Sequence, residues 1–323
     1  MNPQPAASTV LVLTEATDTT ADLVVKELNS RGASVMRVDT ADFPLSLQVS
    51  ARFDGTWQGE IRSTDRAVEL GDIRSVYVRR PTMFKFPKAM TNAEQRFAGR
   101  EARRGLGGLL LSLPCAWVNH PSRAADAEYK PYQLQAAAAC GLSVPRTVIT
   151  NAPEHAAEHR AYLGSSAVYK ALASATVADG NRVAFIPTTE VAASDMADLR
   201  VALTAHQFQA RVPKVRDVRA TVVGSRVFAA NVLSPDGGMI DWRTNYAALR
   251  YEPVNLPAEV EAPLLRLLDR LGLAFAAADF VVTADGQHHF VDLNPGGQWG
   301  WIEEATGLPI GAALAAHLTG EDR

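Results

Sequence analysis

The chain has 323 residues, of which 47% are hydrophobic and 21% are charged, and its formal net charge is −3 at pH 7. This length exceeds what one compact core usually needs, so two or three domains are expected. The small net charge argues against a general nucleic-acid binder. Two cysteines, Cys115 and Cys140, form neither a CxxC pair nor a metal-ligand spacing, as is typical of buried thiols in a reducing compartment. No secretory signal is evident, and the apolar run 105–118 is too short to span a membrane, so we expect a soluble cytoplasmic protein with no membrane partner.

The first part of the chain predicts a βαβ arrangement. Thr9–Leu13 and Ser34–Val38 are apolar, strand-like runs, and Thr20–Gly32 between them has helical spacing. Asp54-Gly55 predicts a hairpin turn between two further strands. Thr91–Leu113 predicts a long helix. This order favours a parallel sheet at the N-terminus.

The second part alternates helices and short strands, and two lysines are candidate phosphate ligands. Lys130 lies on the predicted helix Ser122–Cys140, and Lys170 ends the strand Ala167–Lys170. The residues after Lys170, 173–182, are small, polar and expected to be flexible. A lysine aimed inward there could hold a phosphate while the loop closes over it. The alternative is a surface lysine whose stem packs on apolar neighbours.

The third part is predicted to be strand-rich, and it supplies two arginines. Arg219 alternates with apolar residues and shares one strand face with Asp217 and Thr221. Either Arg219 pairs structurally with Asp217, or it stabilises a transferring phosphoryl group. Arg243 is a second cation of the same kind. The mixture of helices and strands favours α/β or α+β with several mixed sheets.

Two acids and an amide near the C-terminus form a candidate metal site. Asp292 and Asn294 share one face of their predicted strand. An Asp-Gly turn joins that strand to the preceding one, and if Thr283 pairs with His288, then Asp279 lies opposite Asp292. Such oxygen ligands suit Mg²⁺, which also binds substrate phosphates. The alternative is a pair of strand-end acids that cap loops.

Common catalytic motifs are missing from the sequence. There is no Walker A sequence, no helical HExxH pair and no G-x-S-x-G elbow. Simple hydrolase and zinc-enzyme functions are therefore disfavoured.

The order of the motifs after about residue 119 resembles an ATP-grasp ligase. Two further segments narrow the resemblance, Val78-Arg79-Arg80-Pro81 and Asn294-Pro295-Gly296-Gly297-Gln298-Trp299. With them the chain resembles the ATP-grasp ribosomal peptide maturases, the graspetide or microviridin-type synthetases. In that family Mg-ATP phosphorylates an Asp or Glu side chain of a precursor peptide, and a Ser/Thr hydroxyl or Lys amine of the same peptide attacks the acyl-phosphate. The product is an ω-ester or ω-amide macrocycle.

The resemblance implies an ATP-grasp fold of the α/β (mixed α+β) class with three domains. These are an N-terminal pre-ATP-grasp domain of the βαβ type (1–119), a central ATP-lid domain (120–206) and a C-terminal catalytic domain (207–323). The central region, between Pro121 and Pro187, is expected to recognise the leader of the precursor peptide. A homodimer is also expected.

The resemblance assigns roles to twelve positions, and it implies Mg²⁺ and ATP as cofactors. By position, the ATP phosphates would contact Lys130 and Lys170, and the acyl-phosphate would be stabilised by Arg219 and Arg243. Mg²⁺ would be held by Asp279, Asp292 and Asn294. The hinge that holds adenine and ribose would consist of Phe208, Gln209, Ala210, Arg211 and Val212. Two positions depart from the family pattern. Asp292 stands where Glu is usual, and Ala210 stands where an acid commonly contacts ribose.

Two other functions remain open from the sequence. One is intermolecular ligation, in which an ATP-grasp enzyme adds an amino acid to a protein or small acid. The other is a nucleotide-binding scaffold without chemistry, although the complete set of charged positions argues against a degenerate site.

Overall fold

The computed structural model describes residues 8–173, 175–179, 182–235 and 239–322. Ser174, Gly180 and Asn181 of the segment expected to be flexible lie outside these ranges. Within the described part of the chain, no helix is both long enough and apolar enough to cross a bilayer.

The N-terminal part contains a four-stranded parallel sheet and a small antiparallel one. Its elements are β1 (Thr9–Thr14), α1 (Thr19–Ser30), β2 (Ser34–Val38), β3 (Gln48–Asp54), β4 (Thr56–Arg62), β5 (Ala67–Glu69), β6 (Ile73–Arg80), α2 (Asn92–Leu111) and β7 (Ala116–Val118). The parallel sheet has the order β2-β1-β6-β7, and β3-β4-β5 form the antiparallel sheet. The predicted βαβ start and the Asp54-Gly55 hairpin are confirmed.

Strand β1 is buried along its whole length because helices cover both faces of its sheet. Val10 and Val12 pack in one cluster with residues of α1, while Leu11 and Leu13 pack in another with residues of α2. Helix α1 begins where it does because the Asp18 carboxylate accepts hydrogen bonds from the first backbone N–H groups, those of residues 20 and 21.

The middle part contains a four-stranded antiparallel sheet and a separate hairpin. Its elements are α3 (Pro121–Ala127), α4 (Lys130–Ala139), β8 (Thr147–Thr150), α5 (Ala156–Leu163), β9 (Ala167–Lys170), β10 (Thr176–Asp179), β11 (Arg182–Phe185), β12 (Thr189–Val191), α6 (Ala193–Met196) and β13 (His206–Ala210). The sheet has the order β12-β9-β13-β8, and β10 pairs with β11.

The C-terminal part is a five-stranded antiparallel sheet with helices on both faces. Its elements are β14 (Lys214–Val223), β15 (Arg226–Leu233), β16 (Arg250–Val254), α7 (Ala258–Leu271), β17 (Phe275–Thr283), β18 (His288–Asn294), α8 (Gly300–Thr306) and α9 (Ile310–Thr319). The strand order is β16-β15-β14-β17-β18. Helix α7 covers one face, and α9 packs between the other face and the N-terminal sheet.

The three predicted domains stay a prediction, and the packing crosses their boundaries at two places. Strand β13 pairs with β8 and β9 of the middle sheet, although residue 207 was expected to begin the third domain. Helix α4 packs on α7 and β18 of the C-terminal sheet. The middle part of the chain therefore packs against the C-terminal sheet beside the site described next.

Candidate active site

The two predicted metal-binding acids face each other across strands β17 and β18. Asp279 pairs with Asp292, as expected, but the assumed pairing of Thr283 with His288 is wrong by one residue because His288 lies opposite Val282. A bulge between Asp279 and the following residue absorbs the difference. The acids end up on one face despite the shifted hairpin register.

Arg219 extends this pair into a row across three strands. On β14 it lies opposite Asp279, and its Nη1 lies 2.9 Å from Asp279 Oδ1. Its other terminal nitrogen donates to the Gln298 carbonyl at 3.1 Å. Arg219 therefore bonds to Asp279 and not to Asp217, which instead accepts from Lys214 at 2.7 Å through both oxygens.

Two lysines lie beside Asp292. Lys130 Nζ lies 2.6 Å from Asp292 Oδ1, and Lys170 Nζ donates to the carbonyl oxygen of Val291 at 2.8 Å. Burial alone would raise the pKa of Asp292, but Lys130 and Lys170 outweigh it and hold that pKa below the ordinary value. Burial also lowers the pKa of Lys170, against the attraction of Asp292. The carboxylate is thus kept ionised beside two cations.

Arg243 is held by a neighbour in its own turn. Asp241, which is 5% exposed, accepts from Arg243 Nε and Nη2 at 2.8 Å each. The second carboxylate oxygen of Asp241 also accepts from the Thr188 N–H at 2.9 Å. The guanidinium lies over the Phe185 ring of β11, 5.6 Å from its centroid. Asp241 therefore orients Arg243. Through the Thr188 N–H it also connects the turn that carries Arg243 to the middle part of the chain.

A cavity of about 240 Å³ opens between the middle and C-terminal sheets, and most predicted site residues reach it. The predicted residues that line it are Lys170, Gln209, Ala210, Arg211, Val212, Arg243, Asp279 and Asp292. Phe208 does not line it, because strand alternation turns its ring into the hydrophobic cluster of the middle sheet. Lys130 and Arg219 do not line the cavity but form ion pairs with Asp292 and Asp279, which do.

Asn294 is the most exposed of the three predicted metal ligands. Its Oδ1 accepts from the Gly296 N–H at 2.9 Å. Two carboxylates and an amide oxygen are the donor set that a hard cation prefers when substrate phosphates and water complete its shell. Within the described ranges no group of three or more His, Cys, Asp or Glu forms another candidate metal site.

The Pro-Gly-Gly loop after Asn294 connects this row to the N-terminal sheet. Arg79, whose side chain is 2% exposed, donates to the Gly296 carbonyl at 2.8 Å and bonds to the Gln298 side chain. The Gln298 side chain also accepts from the Thr20 hydroxyl at 3.1 Å. The backbone of Gln298 is in turn the acceptor for Arg219. The end of β6 therefore fixes the loop that contacts the catalytic arginine candidate.

Comparison with known proteins supports one family. A family model described as the MvdD pre-ATP grasp domain matches residues 9–125. The macrocyclase MdnC from Microcystis aeruginosa MRC, bound with precursor peptide MdnA, is 28% identical with a TM-score of 0.84, over 97% of this chain and 99% of that chain. A RiPP-associated ATP-grasp ligase from Chryseobacterium gregarium, in complex with ADP and a leader and core peptide, is 25% identical with a TM-score of 0.89, over 98% of both chains.

A third solved structure agrees. The ATP-grasp ligase PsnB, complexed with a phosphomimetic variant of a minimal precursor, Mg and ADP, is 25% identical with a TM-score of 0.76, over 98% of this chain and 100% of that chain. The chain is an ATP-grasp ligase. The predicted ATP-grasp fold and the resemblance to the ribosomal peptide maturases of that fold are confirmed. No curated protein matched the ligase.

Three residues of this ligase's site escaped the sequence analysis. Lys214 and Asp241 line the cavity, and Arg79 holds the loop. A signal existed for Asp241, because an aspartate two residues before an arginine in a turn commonly accepts from the turn's own N–H groups. The signal for Arg79 was its place in Val78-Arg79-Arg80-Pro81, a segment that narrowed the resemblance but gave the arginine no role. For Lys214 we find no signal in the sequence.

Proposed function

We propose that this ATP-grasp ligase joins Asp or Glu side chains of a ribosomal precursor peptide to Ser/Thr hydroxyls or Lys amines of the same peptide, giving ω-ester or ω-amide macrocycles. The observation that carries the proposal is the row Arg219–Asp279–Asp292 beside a cavity that also receives Lys170 and Arg243. Carboxylate activation brings two anions together, the γ-phosphoryl group and the substrate carboxylate. A site with four cations around two acids suits that charge.

ATP is proposed to occupy the cavity as the co-substrate. Lys170 and Lys130 would contact its phosphates, and backbone groups of 209–212 would line the adenine end. Ala210 supplies no carboxylate for the ribose. Among the similar structures, the Chryseobacterium ligase and PsnB contain ADP, which supports ATP as the co-substrate.

Mg²⁺ fits the oxygen donors of Asp279, Asp292 and Asn294. When bound, Mg²⁺ would neutralise phosphate charge and polarise the transferring phosphoryl group. Asp292 already bonds to Lys130, so the lysine and the metal would share this carboxylate. The structure of PsnB, which contains Mg, supports the assignment.

The chemistry requires the chain to position charges, and it needs no protein nucleophile. A substrate carboxylate oxygen attacks the γ-phosphorus and ADP leaves; the substrate hydroxyl or amine then attacks the acyl carbon and inorganic phosphate leaves. Arg219 and Arg243 are proposed to hold the acyl-phosphate during both steps. Each crosslink removes one water from the peptide in total.

The partner is proposed to be a ribosomally made precursor with a leader and an acidic, Thr-rich core, and the leader would contact the middle part of the chain. The structures of MdnC and PsnB contain precursor peptides, which supports a precursor peptide as the partner.

We also propose a cytoplasmic location, where ATP is abundant, and a homodimer. An exposed aromatic pair, Phe53 and Trp57 with ring centroids 5.3 Å apart, is a surface that a second copy would cover.

The test is mass spectrometry of a candidate precursor, an acidic, Thr-rich peptide sought in the reading frames next to the ligase gene, incubated with ligase, ATP and Mg²⁺. Loss of one water per crosslink, with the same number of ADP molecules formed, is expected. A gain of one residue mass on an acceptor would instead show intermolecular ligation. A precursor of unchanged mass under conditions where ADP binding is measurable would contradict the proposal. Arg243→Lys retains the positive charge but removes the bidentate contact with Asp241. This variant should lower the rate of crosslinking at least tenfold.

A further inference from the structure

A second, larger cavity lies on the N-terminal part, away from the ATP cavity. It encloses about 1210 Å³ between helix α2 and residues 81–86, the segment that follows β6, and the start of α3 closes one end. Among the residues that the structure describes, none lines both cavities. We call it the α2 groove. Its volume exceeds that of ordinary small-molecule pockets and suits a length of extended peptide.

The floor and one wall of the α2 groove are apolar. Leu106 and Leu110 of α2 form part of the floor, and Phe84 and Phe86 stand in the wall with ring centroids 6.5 Å apart. Met83 on the same segment is 88% exposed. Exposed apolar surface beside a cavity of this size is typical of a site that binds a partner.

The rim of the α2 groove is basic. Arg96 and Arg103 line it, and Arg100 lies between them on the same helical face. Within the described part of the chain, none of the three has an ion pair or a side-chain hydrogen bond. Of the described residues that line the groove, one is an acid, Asp126. Arginines left without partners beside an apolar floor are suited to bind carboxylates with paired N–H donors.

The positive charge of the rim indicates which kind of partner binds the α2 groove. In a two-fold dimer built through this groove, the arginine row of one copy would face the same row of the other, and like charges would repel. A nucleic acid would leave the apolar floor uncovered. The substrate of the proposed reaction is a peptide that carries several carboxylates, and it matches both the floor and the rim.

We infer that the α2 groove binds an acidic, apolar-containing segment of the substrate peptide, outside the ring being formed. This inference rests on the proposed function, since that function supplies the acidic peptide. The groove also borders the end of β6, because Pro81 lines it. Arg79 at that end of β6 bonds to Gly296 in the Pro-Gly-Gly loop after Asn294. A second point of attachment raises the effective concentration of the core at the ATP cavity.

Fluorescence anisotropy tests the inference with a labelled synthetic hexapeptide in which Glu alternates with Leu and Phe. The intact ligase should bind it with an affinity that falls as salt rises. Arg96→Glu combined with Arg103→Glu should weaken binding at least tenfold at low salt. Arg104→Glu on the same helix, which does not line the groove, is the matched control and should change binding less than twofold. A twin peptide with Gln in place of Glu should bind at least tenfold more weakly.

Several results would overturn the inference. Equal binding by the double variant, or equal binding of the Gln peptide, would remove the charge argument. A dimer that becomes monomeric in the double variant would identify the groove as a subunit contact. Thermal unfolding and ADP affinity of the variants show whether the fold and the ATP cavity are intact. If the double Glu variant does not fold, the double variant Arg96→Gln with Arg103→Gln replaces it in the binding assay. The assay needs no turnover, so failure of macrocyclisation alone would count against the proposed function and not against peptide binding.

Discussion

At the scale of single residues, three carboxylates of the site accept hydrogen bonds from cationic side chains. Asp292 accepts from Lys130, Asp241 from Arg243 and Asp217 from Lys214. Asp292 is one methylene shorter than the Glu usual at its position. Its bond to Lys130 shows that the shorter side chain still reaches a cation from α4, so a bound metal would lie close to the strand.

Asp292→Asn should weaken Mg²⁺-dependent binding of ADP about tenfold or more, because one charged ligand is replaced by a neutral one. Calorimetric titration with ADP, with and without Mg²⁺, measures the effect. Asp285→Asn, in the exposed turn of the same hairpin, is the control and should bind as the unmodified ligase does. Unchanged Mg²⁺ dependence in Asp292→Asn would show that the metal assignment is wrong.

Asp217 gives a prediction for pH. Burial raises its pKa from the ordinary 3.8 to about 6, against the attraction of Lys214. The fold therefore favours the protonated carboxyl, and its contribution to the free energy of unfolding is largest below pH 3.8 and is lost as pH rises through about 6. Between pH 4.5 and 7.5 the ligase should lose about 2 kcal/mol of stability relative to Asp217→Asn. Urea unfolding of both proteins measures this difference, and parallel pH profiles would contradict it.

At the scale of elements, the bulge in β17–β18 and the loop after it place the site. The bulge brings Asp279 opposite Asp292. The loop that follows β18 then passes so close to Ala277 and Arg219 that Gly297 has no room for a side chain. A Cβ added to Gly297 would lie 2.5 Å from Ala277 Cβ and 2.8 Å from Arg219 Nη2. A Cβ on the preceding Gly296 would meet only Asn294 Oδ1, at 3.8 Å.

Gly297→Ala should therefore displace the loop or Arg219, lowering the free energy of unfolding by about 1–3 kcal/mol and reducing kcat for crosslinking. Gly296→Ala is the matched control and should leave both near the unmodified values. Thermal unfolding and the crosslinking rate with the cognate precursor measure the two quantities. Equal behaviour of the two variants would mean that the close approach to Arg219 has no consequence.

At the scale of the whole molecule, buried polar groups join the N-terminal sheet to the C-terminal sheet. Arg79 lies 3.6 Å from Asp18, and both side chains are almost fully buried. The Asn119 side chain donates to the carbonyls of Phe275 and Pro295 at 2.7 and 2.8 Å. These contacts explain why a residue of β6 can affect a loop after β18.

Arg79→Ala should lower the free energy of unfolding by about 3 kcal/mol, since it leaves the Asp18 carboxylate buried without its cation. Arg80→Ala, one residue later and exposed, should change it by less than about 0.5 kcal/mol. Urea unfolding of the two variants makes the comparison. A loss as large in Arg80→Ala would show that the strand end, and not the buried pair, matters.

The sequence by itself determined the local features of this ligase, because they depend on neighbours in the chain. The Asp54-Gly55 hairpin and the start of α1 arise from turn and capping chemistry, and strand alternation places Asp292 and Asn294 on one face. The pairing of Asp279 with Asp292 also needs the β-bulge, which the sequence did not predict. Alternation should also have excluded Phe208 from the cavity, since Gln209 faces it.

Only the tertiary structure decided the contacts between distant segments. Arg79 and Gly296 are 217 residues apart, and Lys130 and Asp292 are 162 apart. Neither partner's local sequence specifies the other, because such pairs form only once whole sheets and helices pack. The same holds for the α2 groove, whose walls come from segments that the sequence predicts separately and that packing alone brings face to face.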